Sequence, residues 1–219
     1  MLITITGADG SGKSTITRMV KEKLTSSGIN AVQIDKWDIY NFEQHPECRF
    51  LKEPLSELRK CISEMSVPAR TLFLFWSMYL TMEKTTSDCF DVTVVDSYWI
   101  KHAASELIYG APMELINVMS FSLPRIDHAF VLDIAPEVAW QRKISAGFAD
   151  VVPYECGMDP YLTESNFLSH QRKLRKLLQS WVKERGWELI DAAERPHEIV
   201  TTIVAEVLGT IEKKRAISL

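Results

Sequence analysis

The feature that most constrains this sequence is a glycine-rich segment near its N-terminus. Residues 7–15 contain the pattern G-x-x-x-x-G-K-[ST] without a gap. Residues 2–6 alternate like a short buried strand, and residues 14 to about 27 have helical periodicity. This strand-loop-helix order is the context in which the pattern forms a phosphate-binding loop. The candidate phosphate-binding residues are Gly7, Ala8, Asp9, Gly10, Ser11, Gly12, Lys13, Ser14 and Thr15.

The chemistry of this segment suits a polyphosphate. Its glycines allow successive N–H groups to turn inward around phosphate oxygens, where the positive end of the following helix dipole adds to them. Lys13 supplies a point charge for the β- and γ-phosphates, and the Ser14 hydroxyl is placed to ligate Mg²⁺. The segment therefore predicts a site for a polyphosphate with magnesium.

Length and composition narrow the class of protein. A chain of 219 residues with 46% hydrophobic and 25% charged residues predicts one soluble globular domain. The net charge of −4 argues against a nucleic-acid partner and favours small molecules. Because no signal-peptide pattern or long apolar run occurs, we expect a cytoplasmic protein without a membrane partner. Four cysteines without C-x-x-C spacing predict reduced thiols: Cys48, Cys61, Cys89 and Cys156.

Strand and helix patterns alternate five times along the chain. The predicted strands are residues 2–6, 31–34, 91–96, 128–133 and 187–190. This alternation predicts an α/β fold of three α/β/α layers, with a five-stranded parallel sheet covered by helices on both faces.

Charged residues follow two of these strands. Asp35, Lys36 and Asp38 follow the second strand, and Asp96 ends the third. Ligands in open α/β sheets bind beyond the carboxyl ends of strands, so the first three are candidates for the side of the site that receives phosphate. Asp96 is a candidate to hold Mg²⁺ opposite Ser14, the alternative being a helix-capping aspartate.

Two further segments bear on the site. The helix predicted from Pro68 to about residue 86 is apolar nearly all round, which predicts that it is buried. We expect its aromatic residues to lie mostly in the core, with some of them facing the acceptor. Residues 148–165 are irregular, and we expect them to form a lid within the single domain 1–219. That lid carries no Lys or Arg, so a cation for the transferred group must come from Arg142, Lys143 or the basic helix that follows.

The sequence resembles the thymidylate kinase family of nucleoside monophosphate kinases over most of its length. The likeness rests on four segments: the loop 7–15 with its Asp-Gly before Ser-Gly-Lys, the strand end 94–98, the run 131–139 that leads into Arg142, and residues 190–192. The resemblance implies a P-loop nucleotide-kinase fold, with ATP and Mg²⁺ as cofactors held by Lys13 and Ser14. It places Asp96 at the metal or at the acceptor. It also implies that Arg142 and the 191–195 loop, including Ala192, flank the adenine. Members of this family are often dimers, which makes a homodimer one expectation.

The departures from the family fall on the acceptor side. Asp96-Ser97-Tyr98 stands where the family has Asp-Arg-Tyr, and residues 35–38 stand where it has Arg-Glu-Pro-Gly. The long apolar helix also lacks the family's arginine, its neighbourhood here being 75–78. A dianionic acceptor needs fixed cations. Lys36, Arg70 and Lys101 are the candidates to replace those arginines, if the fold brings them to the site.

Three functions remain open on the sequence. If the acceptor is a nucleoside monophosphate, its phosphate oxygen is the nucleophile, and Lys13, Mg²⁺ and Arg142 neutralise charge without a general base. If the acceptor is a nucleoside or another small-molecule hydroxyl, Asp35 or Asp96 must accept its proton. The third function is a regulatory ATPase without a small acceptor. A G-protein switch is disfavoured, because the Asn-Lys-x-Asp segment that reads the base in such proteins does not occur.

Overall fold

A single parallel sheet forms the centre of the structure. The computed structural model describes residues 1–85, 90–147 and 151–217. The strands are β1 (Leu2–Gly7), β2 (Ala31–Ile34), β3 (Val92–Asp96), β4 (His128–Asp133) and β5 (Glu188–Asp191). They run in the spatial order β2-β3-β1-β4-β5. The central strand is therefore the one that leads into the glycine-rich loop, which opens in the middle of the sheet's carboxyl edge.

Helices connect the strands and cover both faces of the sheet. In the described part of the chain they are α1 (Lys13–Ser26), α2 (Leu55–Glu64), α3 (Val67–Thr85), α4 (Tyr98–Ile108), α5 (Met113–Phe121), α6 (Pro136–Ser145), α7 (Glu164–Arg185) and α8 (Pro196–Ile217). Short 3₁₀ helices occur at Lys36–Tyr40, Pro46–Cys48 and Pro153–Glu155. None of the helices in the described ranges combines the length and apolar content that crossing a bilayer requires.

Alternating strand residues separate the interior into two cores. Ile3, Ile5 and Phe130 point to one face, where they pack with apolar residues of α1 and α8. Ala129 and Val131 point to the other face, against α3, α4 and α7. Each fully buried side chain of the size of Ile3 stabilises the fold by roughly 1.5–3 kcal/mol. The predicted three-layer α/β/α architecture is confirmed.

The sequence predicted that α3 is buried nearly all round, and this prediction is wrong for one face of the helix. Leu72 is 52% exposed and Tyr79 47% exposed, whereas Phe75 and Met78 of the same helix are buried. An outer-layer helix has only one side against the sheet, so its apolar outer side lines a surface groove instead of a core. The predicted end of this helix near residue 86, like Cys89, lies outside the described residues.

Two glycines with the same backbone angle allow the close approach of the loop to α6 to be tested by substitution. Gly10 and Gly28 both have φ +81°, but an added Cβ would lie 2.8 Å from the Ala139 carbonyl oxygen at Gly10 and would meet nothing within 4 Å at Gly28. We expect Gly28→Ala to lower the free energy of unfolding by about 1–2 kcal/mol, from backbone strain alone. Gly10→Ala should cost more, because the start of α6 must also move. Urea denaturation measures both values, and equal losses would contradict the close approach.

Candidate active site

The loop between β1 and α1 has the geometry of an anion site. Gly10 and Gly12 adopt left-handed conformations (φ 81° and 89°), and α1 begins directly afterwards with neither a capping side chain nor an acidic residue in its first turn. The N–H groups at this helix end are therefore left for an anion. The Lys13 ammonium folds back across the loop and donates to the Ala8 carbonyl oxygen at 2.9 Å. Burial lowers the pKa of Lys13, and the nearby Asp9 carboxylate opposes that shift.

Asp9 joins the loop to two helices. Its carboxylate accepts from the Lys101 ammonium of α4 at 2.7 Å and from the Gln171 amide of α7 at 3.2 Å. Its backbone N–H donates to the same glutamine at 3.0 Å. Burial by itself raises the pKa of Asp9, but the ammonium groups of Lys101, Lys13 and Lys143 outweigh it and hold the pKa below the usual range. The Asp9 carboxylate is therefore ionised at neutral pH.

Asp96 ends β3 beside the start of the loop, since it pairs in register with Ile5 of β1. Its Oδ1 accepts from the Ser97 hydroxyl at 2.9 Å, and its buried Oδ2 has no hydrogen-bond partner among the described residues. An unpartnered carboxylate oxygen is costly to bury, and it suits a metal ligand or a bound water. Ser14 and Asp96 line the same cavity, so together they fit the predicted Mg²⁺ site.

The end of β2 contributes one acid and one cation. The Asp35 carboxylate caps the following 3₁₀ helix by accepting from the Trp37 N–H at 2.8 Å, while Asp38 completes the cap by accepting from the Asp35 N–H at 2.8 Å. Burial raises the pKa of Asp35 and lowers that of Lys36 to about 8. Asp35 and Lys36 line the cavity, whereas Asp38 is used in the cap.

One cavity of about 290 Å³ collects these groups at the carboxyl edge of the sheet. It contains Asp9, Lys13, Ser14, Asp35, Lys36 and Asp96 from the predicted set, together with Lys101 and Lys143. Sequence reasoning gave no role in the site to four other ionisable lining residues: Arg59, His102, Tyr154 and Glu155.

His102 is the most unusual of the missed residues. It is 4% exposed, and neither ring nitrogen has a hydrogen-bond partner among the described residues. Burial, reinforced by the charges of Lys36 and Lys101, holds its pKa well below the usual value. The imidazole is therefore neutral at pH 7 and offers one donor and one acceptor to the cavity.

The segment 151–163, which we term the covering segment, closes one side of the cavity through Val152, Tyr154 and Glu155. The Glu155 carboxylate contacts the Lys143 ammonium at 2.7 Å and the Arg59 guanidinium at 3.4 Å. Burial, followed by the charge of Asp9, raises the pKa of Glu155. Lys143 is one of the possible sources of a cation that the sequence offered, and its ammonium group lines the cavity. Residues 148–150 of the predicted lid lie outside the described residues.

Arg142 lies beside the loop but outside the cavity. Its guanidinium donates to the Ala192 carbonyl oxygen at 2.8 Å, and its Nη1 lies 4.0 Å from a Cβ built on Gly12. The structure therefore brings together the phosphate-binding loop, Arg142 and Ala192. Their role at the adenine stays a prediction.

Other candidates from the sequence lie elsewhere. Arg70 is buried in a bidentate pair with Glu106 (2.7 and 3.1 Å) and does not line the cavity, so it is not placed to replace a missing acceptor-side arginine. Trp76 lines the separate apolar groove on α3, outside the cavity. In the basic helix α7, Arg172 pairs with Glu137 and Arg175 with Asp133. The homodimer expected from the resemblance stays a prediction.

The fold and the site together define a class of protein. Its parallel sheet has the strand order β2-β3-β1-β4-β5, and a glycine-rich phosphate-binding loop follows the central strand. These two features define a P-loop protein of the nucleotide-kinase fold.

Comparison with known proteins places the chain more closely. It is 23% identical to the probable thymidylate kinase of Pyrobaculum aerophilum, over 95% of this chain and 96% of that protein. It is 26% identical to the thymidylate kinase of Chlorobium limicola over 94% of each chain, and 26% identical to the probable thymidylate kinase of Archaeoglobus fulgidus over 95% and 94%. No family model matches the chain. The resemblance found in the sequence is confirmed: the chain is thymidylate kinase-like over nearly its whole length.

The Asp9–Lys101 pair supports a stability prediction. Lys101→Met leaves the buried Asp9 carboxylate without its nearest cation, so we expect the free energy of unfolding to fall by about 3–5 kcal/mol. Lys60→Met is the matched control, because Lys60 contacts Glu57 at the same 2.7 Å on the exposed surface of α2 and should matter little. Urea denaturation at pH 7 compares the two variants, and similar losses would contradict the expected cost of leaving the Asp9 carboxylate unpaired.

Proposed function

We propose that this chain is an ATP-dependent phosphotransferase that moves the γ-phosphoryl group to a nucleoside monophosphate. One observation carries the proposal: four lysines, two of them already paired with carboxylates, converge on a single cavity beside the phosphate-binding loop. They are Lys13 and Lys36, together with Lys101 (paired with Asp9) and Lys143 (paired with Glu155). A cavity so lined suits two phosphate groups that must approach each other, since their mutual repulsion has to be offset by fixed cations. The thymidylate kinase relatives support the same class of reaction.

The donor would bind at the loop. Main-chain N–H groups of residues 7–15 and the α1 N-terminus would hold its phosphates, with Lys13 at the β- and γ-phosphates. Arg142 and Ala192, which are joined by a hydrogen bond at the rim of the loop, would flank the adenine. Ser14 and Asp96 would hold Mg²⁺, which when bound neutralises phosphate charge.

The acceptor would lie between the ends of β2 and β3. Lys36 and Lys101 would take the place of the missing arginines, since both line the cavity and Arg70 does not. The apolar residues Trp37, Ile62 and Leu74 of the same cavity would contact the base, and neutral His102 would bond to an uncharged polar group. A phosphate oxygen is already a nucleophile, so positioning and charge neutralisation suffice.

A second candidate is a kinase for a nucleoside or other small hydroxyl compound. Asp35 favours it, because this cavity-lining carboxylate has a pKa raised by burial, as a general base requires. The lysines favour the monophosphate, since a neutral acceptor does not need so many cations. The nature of the nucleophile separates the two functions.

An acceptor panel tests the proposal. ATP turnover with Mg²⁺ should be low alone and should rise with one or more nucleoside monophosphates, and Lys13→Ala should abolish transfer while circular dichroism shows an intact fold. Activity on nucleosides alone would assign the hydroxyl reaction. Steady hydrolysis that no acceptor stimulates would assign a regulatory ATPase, and unchanged transfer in Lys13→Ala would remove the loop from the mechanism.

The pKa of Lys36 predicts a pH dependence. Because this pKa is about 8, the ammonium loses its proton as the pH rises through that value, while the acceptor phosphate is already dianionic above about pH 7. We expect kcat/KM for the acceptor to fall above about pH 8, since this ratio reports the free enzyme. Lys36→Arg keeps the charge, so its profile should stay flat to higher pH. A fall with the same midpoint in both proteins would assign the titration to another group.

A further inference from the structure

A single buried amide connects the two sides of the cavity. Gln171 of α7 is 0% exposed. Its Oε1 accepts from the backbone N–H of Asp9 at 3.0 Å, and its Nε2 donates to the Asp9 carboxylate at 3.2 Å and to the Glu155 carbonyl oxygen at 3.0 Å. One side chain therefore contacts the phosphate-binding loop and the covering segment at once.

The three hydrogen bonds allow only one orientation of this amide. Both Nε2 protons meet oxygen acceptors, and Oε1 meets an N–H donor. Turning the amide over would set its oxygen against a carboxylate and a carbonyl, and its NH₂ group against an N–H. Gln171 is therefore fixed by its partners, and it fixes them in turn.

Two cations of the cavity depend on the groups that Gln171 holds. The Asp9 carboxylate pairs with the Lys101 ammonium at 2.7 Å, and the Glu155 carboxylate pairs with the Lys143 ammonium at 2.7 Å. Lys101 belongs to α4 and Lys143 to α6. The position of the Gln171 amide therefore affects the positions of two ammonium groups, those of Lys101 and Lys143, that would face the phosphates.

We propose that Gln171 is a positioning residue that couples the phosphate-binding loop to the covering segment, so that both close the cavity against water as one unit. The inference rests on the proposed phosphotransfer. In that reaction an acceptor oxygen bonds to the γ-phosphorus, the bond from this phosphorus to the bridging oxygen breaks, and ADP leaves. If the cavity opens, water takes the acceptor's place: its oxygen bonds to the γ-phosphorus, the same bond breaks, and ADP, phosphate and a proton are released.

Gln179 provides a matched control in the same helix. Its Nε2 donates to both oxygens of Asp133 at 3.2 Å, so it also binds an aspartate through an amide, but it does not line the cavity. Gln171→Met and Gln179→Met each remove such an amide with little change in side-chain volume. A merely structural role for Gln171 would make the two variants behave alike.

The first experiment measures transfer and acceptor-independent hydrolysis of ATP in both variants and in the unmodified protein. We expect Gln171→Met to raise the ratio of hydrolysis to transfer about tenfold or more, with higher KM values for both ATP and acceptor, because small misplacements of positioned groups are costly. Gln179→Met should keep the original ratio whatever its melting temperature. Equal ratios in the two variants would overturn the proposal. If Gln171→Met does not fold, Gln171→Asn, which keeps the amide but is one methylene shorter, should show the same change.

A second measurement does not depend on activity. Hydrogen exchange of the protein without substrates should accelerate in Gln171→Met at both the loop 7–15 and the covering segment, and at neither in Gln179→Met. Acceleration at only one of the two would overturn the coupling. If the unmodified protein transfers phosphate to no acceptor, the proposed function fails, and hydrogen exchange still decides whether Gln171 couples the two segments.

Discussion

The buried ion pair between Lys101 and Asp9 is the interaction on which the carboxyl edge of this sheet depends. Lys13, Lys36 and Lys143 line the same cavity, and positive charges this close repel strongly where water is partly excluded. The Asp9 and Glu155 carboxylates lie between them and offset that repulsion. The geometry of the phosphate-binding loop is therefore tied to the charge balance of the whole cavity, and to helices that lie far away along the chain.

The lysines proposed for the acceptor differ chemically from the arginines that they would replace. A guanidinium keeps its charge and binds phosphate with two parallel hydrogen bonds, whereas an ammonium is a point charge whose pKa falls when it is desolvated. Burial lowers the pKa of Lys36 in this way. An anion bound by Lys36 would be oriented less strictly than one bound by an arginine, and its binding would depend on pH.

Much of the fold and the donor side could be predicted from local sequence. The spacing of Gly7, Gly12 and Lys13 identified the loop, and the strand patterns gave the parallel sheet, because glycine spacing and alternation are short-range properties. Asp35 and Asp96 could be placed at one edge because the carboxyl ends of parallel strands meet there. The family resemblance implied that Arg142 and the 191–195 loop share a place beside the adenine, which stays a prediction, and the structure joins Arg142 to Ala192 by a hydrogen bond.

The sequence by itself thus determined the sheet, the loop and the acids at the strand ends. Only the tertiary structure decided which helical side chains complete the cavity, since Asp9 meets Lys101 across 92 residues and Gln171 across 162. It also set Arg70 apart in a buried pair with Glu106 and brought His102 to the cavity wall. The physical reason is that a polar residue in a helix has no local pattern that shows its partner. Whether it faces solvent, a counter-ion or a cavity depends on how distant elements pack.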